Sequence, residues 1–167
     1  MSETANNVES SNALYRVKRG LCGYISYLAA CEMGQAFSEY VLYEPILRVL
    51  MARGFQVRCE FECPGIQQPN RGDKKRLDFF ITGFGSEFAM EVKWAKSKTI
   101  NVKRDLEKLE AFRLAMPAAM ALLCVFGRKS FIEALDLSEH PLREKGKAVY
   151  ADLRRTKYGC RIFQVTP

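Results

Sequence analysis

Apolar positions recur at near-helical spacing between Ala13 and Gly34, where Leu14, Val17, Leu21, Ile25 and Leu28 share one face and predict a helix. Two glycines, Gly20 and Gly23, weaken that pattern. The preceding residues 1–12, MSETANNVESSN, are polar and read as a disordered tail. Ser38 is a suitable N-cap for a second helix that runs to Gly54 with Leu42, Ile46, Val49 and Leu50 as its stripe. Pro45 either bends this helix or delays its start to near Glu44.

From Phe55 to Cys63 the pattern switches to strict alternation, with Phe55, Val57, Cys59, Phe61 and Cys63 on one side of a half-buried strand. A polar, turn-rich loop follows, and then two strands, 76–82 and 87–94, joined through Gly83-Phe84-Gly85-Ser86. Lys103 to Ala115 predicts a helix with Leu106, Leu109 and Phe112 inward, and the apolar run 119–126 predicts a buried strand. Leu142, Val149 and Leu153 predict a basic helix over 141–157, with a last strand at 161–166. The expected fold is α/β: a mixed sheet of four to five strands flanked by helices. It forms one domain, 13–167, divided into an N-terminal helix (13–37), a core (38–126) and a basic C-terminal part (127–167).

Composition narrows the chemistry. One histidine, His140, excludes any site built on paired histidines. The formal net charge of +7 is uneven. Residues 91–167 hold 16 basic and 9 acidic side chains, whereas the rest of the chain is balanced, so a polyanionic partner is expected, nucleic acid first. Six cysteines without a CxxC pair, behind a start that lacks the order of a secretory signal, point to a reducing, cytoplasmic compartment. The uncharged stretch Gly20 to Cys31 is twelve residues and too short to span a membrane.

The hairpin carries the candidate chemistry. A turn at 83–86 sets Thr82 opposite Glu87, Phe80 opposite Ala89 and Asp78 opposite Glu91, and Lys93 points the same way as Glu91. Two facing carboxylates repel unless a cation lies between them. Magnesium, with manganese as a substitute, accepts one or two carboxylates and fills its remaining positions with water or phosphate oxygens. Lys93 beside such an ion orients or deprotonates a water and offsets phosphate charge. The competing reading is a solvated row of salt bridges on an exposed sheet face.

Leu77-Asp78, a hairpin, then Glu91-Val92-Lys93, with Glu39-x-x-Leu42-Tyr43 on the preceding helix, resembles the signature of the PD-(D/E)XK nuclease superfamily over roughly residues 38 to 126. Leu77 stands where many members carry proline. The resemblance implies a restriction-endonuclease-like fold and a metal-dependent endonuclease that hydrolyses DNA with an activated water. Asp78 and Glu91 bind the metal, Lys93 acts on water or phosphate, and Glu39 serves as an auxiliary acid, with Glu44 its competitor. A polar residue on the following helix also faces such sites, and here Asp105 and Lys108 compete for that position. Arg76 and Lys75 before the hairpin, and Lys96, Lys98, Lys103 and Lys108 after it, make up the expected DNA-binding surface. Two alternatives stay open: a nucleic-acid-binding module of the same fold without catalysis, and a nuclease directed at RNA. Oligomeric state, a homodimer included, is not readable from the sequence.

Overall fold

A computed structural model describes residues 3–33, 38–153 and 156–167. The chain opens with helix α1 (Glu3–Ala30), then a 3-10 turn (Glu39–Leu42) that runs into α2 (Tyr43–Ala52). Three strands follow, β1 (Gln56–Glu62), β2 (Arg76–Gly83) and β3 (Ser86–Ala95), and then α3 (Lys103–Ala115) and β4 (Met120–Arg128). A short α4 (Lys129–Glu133) leads to β5 (Leu142–Glu144), β6 (Val149–Leu153) and β7 (Thr156–Val165). All seven strands lie in one mixed sheet, ordered β1-β2-β3-β4-β7-β5, with β6 also paired to β7. The sheet is α/β and helix-flanked as expected, but larger than the four to five strands anticipated.

Two apolar layers sandwich the sheet. On one side α1 and α2 cover Phe79, Ile81, Phe88, Met90, Leu122, Cys124, Phe126 and Ile162. On the other, Leu109 and Phe112 of α3 and Ile132 of α4 cover Phe80, Ala89, Ala121, Leu123 and Val125. The α1 stripe of Leu14, Val17, Leu21 and Ile25 is fully buried. Gly20 is what lets that helix approach α2, because a Cβ there would stand 2.9 Å from Val49 Cγ2. The glycine that counted against helix in sequence is thus a packing requirement.

Two expectations are corrected, and one is decided between its alternatives. Helix α1 begins at Glu3, so most of the expected 1–12 tail is helical, and the helix ends at Ala30. The last part of the expected N-terminal segment, 34–37, lies outside the described residues. Of the two outcomes expected at Pro45, the delayed start is the one observed: α2 begins at Tyr43, beside Glu44, and Pro45 sits in its first turn, where backbone N–H groups have no intrahelical acceptor to lose. Residues 141–157 are not a helix. They contribute β5, β6 and the start of β7, in which β5 and β6 pair in succession with the edge of β7 opposite β4. The spacing of Leu142, Val149 and Leu153 imitates a helical stripe, but Gly146 with φ +68° breaks the segment between them.

The hairpin register is the one the turn arithmetic predicts: Gly83 pairs with Ser86, Thr82 with Glu87, Phe80 with Ala89 and Phe79 with Met90. Phe84 and Gly85, both at positive φ (53° and 67°), form the two central turn residues, as the right-handed twist of a two-residue hairpin favours. Strand β3 then runs parallel to β4, connected through α3.

Candidate active site

The paired register of β2 and β3 ends at Phe79 and Met90. One position further, carboxylates bridge the strands: Asp78 N–H donates to Glu91 Oε1 at 3.2 Å, and Val92 N–H donates to Asp78 Oδ2 at 2.7 Å. Asp78 and Glu91 therefore satisfy backbone donors that a continuous ladder would have used.

Both β1 and β2 swap faces at this point. Phe79 and Ile81 lie in the first apolar layer, whereas Leu77 and Phe80 lie in the second. Residues two apart share a face in a regular strand, so the alternation breaks between Leu77 and Phe79. Val57 and Phe61 of β1 divide in the same way, and Glu60 between them has φ +50°. The β1–β2 register is unchanged on either side. This corrects the expectation that Phe55, Val57, Cys59, Phe61 and Cys63 line one face throughout.

The twist opens a cleft of about 710 Å³ whose walls include Glu39, Tyr40, Tyr43, Glu60 and Asp78. Its rim carries Lys74, Lys75, Arg76, Arg104 and Lys108, with Asp105 and Glu107 among them. Glu39 accepts a hydrogen bond from Trp94 N–H at 2.9 Å, which ties the 3-10 turn to the strand bearing Glu91 and Lys93. Glu44 is half-exposed, paired with Arg48 on its own helix, and does not line the cleft. Of the two helix carboxylates, Glu39 is the one at the site.

Glu91 lies behind Asp78 and is 1% exposed. Burial and the neighbouring Asp78 push its carboxyl up to about 8, with Lys108 pulling the other way. Burial also raises Asp78, against the opposing hydrogen bonds from Tyr43 and Val92. Lys108 Nζ reaches Glu91 Oε2 at 2.5 Å and donates to the Arg76 carbonyl at 2.9 Å. Lys93 pairs instead with Asp105 Oδ2 at 3.0 Å. Burial pulls its ammonium down, but Asp105, Glu39 and Glu91 outweigh that and hold it above the ordinary lysine value. Lys93 is therefore a fixed cation and not a proton acceptor near neutral pH. Both candidates on α3 engage the motif, Asp105 through Lys93 and Lys108 through Glu91.

Of the basic residues expected to contact a polyanion, Lys75, Arg76 and Lys108 line the cleft. Lys96, Lys98 and Lys103 are exposed, but lie outside its walls. Sequence reasoning missed the role of Tyr43, whose hydroxyl donates to Asp78 Oδ1 at 2.6 Å and lies 3.4 Å from Glu60 Oε1. Burial and Asp78 both push the Tyr43 hydroxyl strongly upward, so it remains a donor. Glu60 was also missed, although extending the β1–β2 pairing by one position places it opposite Asp78.

The donor set fits a hard divalent ion. Asp78 and Glu91 each offer two oxygens that already accept one protein donor and retain further lone pairs. Among the described residues no three acidic, histidine or cysteine side chains form a ready-made cage. An ion there would take two carboxylates and complete its shell with water and substrate oxygens, which is how magnesium is commonly held.

No family model, curated protein or solved structure matches this chain. The functional reading therefore rests on the site's own geometry and on the motif.

Tyr43→Phe separates positioning from binding. Losing the hydroxyl should slow any reaction that Asp78 supports about tenfold, in line with a lost hydrogen bond to a charged group. It should also move the acidic limb of the pH–rate profile upward, because that hydrogen bond opposes the rise of Asp78. A pH–rate profile superimposable on wild type would assign Tyr43 to packing alone.

Proposed function

We propose that the protein is a metal-dependent nuclease of the PD-(D/E)XK type that hydrolyses phosphodiester bonds in DNA. The observation that carries this reading is the Asp78–Glu91 pair at the broken end of the hairpin, in which Glu91 is buried and the half-buried Asp78 lines a cleft shared with Lys74, Lys75, Arg76 and Arg104. Burying two carboxylates side by side is unfavourable unless a cation compensates them, and a rim of basic side chains brings that cation a phosphate to act on.

Asp78 and Glu91 would hold magnesium or manganese. Such an ion supplies a water of lowered pKa and neutralises charge on the phosphate. The protein's own residues do the rest. Tyr43 fixes the Asp78 carboxylate, Glu39 anchors the strand carrying Lys93, and Lys93 and Lys108 place two ammonium groups around the pair. Both cations offset the negative charge that builds on a pentacovalent phosphate. Lys75, Arg76 and Arg104 hold the backbone of the strand without reading its bases, because phosphate contacts carry no sequence information.

The test is metal replacement on a supercoiled plasmid. EDTA should abolish nicking, magnesium or manganese should restore it, and calcium should permit binding without efficient cleavage. Full activity in EDTA would end the metal reading. Plasmid bound but never cut under any divalent ion would leave a binding module in its place.

A further inference from the structure

A second pocket, about 290 Å³, lies far from the cleft in sheet order, where β5 gives way to β6 along the edge of β7. Its walls include Ser11, Tyr15 and Lys18 from α1 and Arg143, Lys145 and Lys147 from the β5–β6 segment. We propose that this pocket binds the phosphate group of a nucleotide. The site does not depend on the nuclease reading.

Four cations share a space suited to a small ligand. Among the described residues, no carboxylate lies within ion-pair distance of any of them. Glu144, the one acidic residue in the wall, is committed to the Arg161 guanidinium through bonds of 3.0 and 2.8 Å. The pocket therefore holds four cations against one carboxylate, itself shared with Arg161, an arrangement that a bound anion relieves.

Lys18 makes this a built site. It is 2% exposed, and its ammonium donates to the carbonyls of Lys145 and Lys147 at 3.0 and 2.6 Å. Those two bonds fix the turn around Gly146, whose φ of +68° lets Lys145 and Lys147 flank the same opening. They engage two of its three N–H groups with neutral carbonyls, and no carboxylate forms a direct ion pair with it. Burial and the adjacent Arg143 pull Lys145 below its ordinary value, in keeping with this crowding.

Tyr15 narrows the class of ligand. Its ring is half-exposed in the pocket wall, and the Arg19 guanidinium lies 6.0 Å from the ring centroid. An aromatic face beside a phosphate-sized cluster of cations suits a base attached to its phosphate better than a bare anion.

The experiment measures binding in EDTA, which keeps any metal chemistry in the cleft silent. Probes are inorganic phosphate and adenosine 5′-monophosphate by calorimetry, and a short single-stranded oligonucleotide by fluorescence anisotropy. The variant is Arg143→Gln/Lys145→Gln/Lys147→Gln, whose side chains are exposed or half-exposed and whose melting should stay near wild type. Wild type should bind the mononucleotide more tightly than inorganic phosphate, and the triple variant should weaken both at least tenfold. Tyr15→Ala should weaken the mononucleotide and leave inorganic phosphate unchanged.

If the ligand is part of a strand, the triple variant also flattens log K against log salt for the oligonucleotide, by about 0.7 for each phosphate no longer neutralised. If it is a free nucleotide, that slope stays the same while mononucleotide binding falls. Equal affinities of wild type and triple variant for all three probes would overturn the site.

Discussion

Asp78→Asn should abolish metal-dependent nicking, by a factor on the order of 10²–10³ or more, while the protein remains folded. The asparagine carbonyl can still accept from Val92 N–H, and its amide can turn to the Tyr43 oxygen, so the bridge across the broken ladder survives. What is lost is the charge that an ion requires. Glu91→Gln should behave in the same way, because it keeps an acceptor for Asp78 N–H. DNA binding should hold in both and tighten in Asp78→Asn, which removes an anion lining the cleft. Plasmid nicking and filter binding on the same samples check both statements, and cleavage within tenfold of wild type would remove these carboxylates from the chemistry. Alanine at either position is a poorer probe, because it also orphans a backbone donor.

Metal-free stability should fall as pH rises from about 5 to 8, and the fall should disappear in Glu91→Gln. Burial and Asp78 raise the Glu91 carboxyl in the folded chain from 4.5 to about 8. The folded state therefore holds a proton through that interval which the unfolded state has released. The advantage is full below the unfolded value and is lost progressively up to the folded one. Its size is on the order of a few kcal/mol between the two limits. Asp78 adds to the loss from the acidic end, since its carboxyl is also raised. Magnesium should reverse the trend, stabilising more at pH 8 than at pH 5, because it binds the ionised pair. Melting curves at several pH values, with EDTA or with magnesium, give the comparison. A wild-type slope equal to that of Glu91→Gln would mean that Glu91 is ionised throughout.

The centre of the fold was legible because its signals are local. Phe84-Gly85 sets a two-residue turn, the turn sets the register, and the register brings Asp78 and Glu91 together. Helix α3 was equally plain, with Leu109 and Phe112 buried as its period requires. Legibility failed where distant segments decide the outcome. Residues 142–153 become strands because the edge of β7 is available to them, which a helical spacing of three apolar residues cannot reveal. The face swap at Glu60 and Asp78 depends on a positive φ that no residue type there advertises, so alternation was carried through it. Tyr43 was visible as part of a motif, but its hydroxyl contact spans 35 positions and needs the 3-10 turn to aim it.

The tie between Lys18 and the carbonyls of Lys145 and Lys147 bears on how the protein is made. Helix α1 is synthesised before the sheet, yet its buried ammonium finds its partners in the β5–β6 turn, and part of its apolar stripe packs on β6 and β7, all made much later. At common translation speeds the interval is on the order of ten seconds. Throughout it the part of that apolar face which α2 does not cover stays open, so holdase chaperones have a defined target in α1. Release into the native state has to wait for β6 and β7.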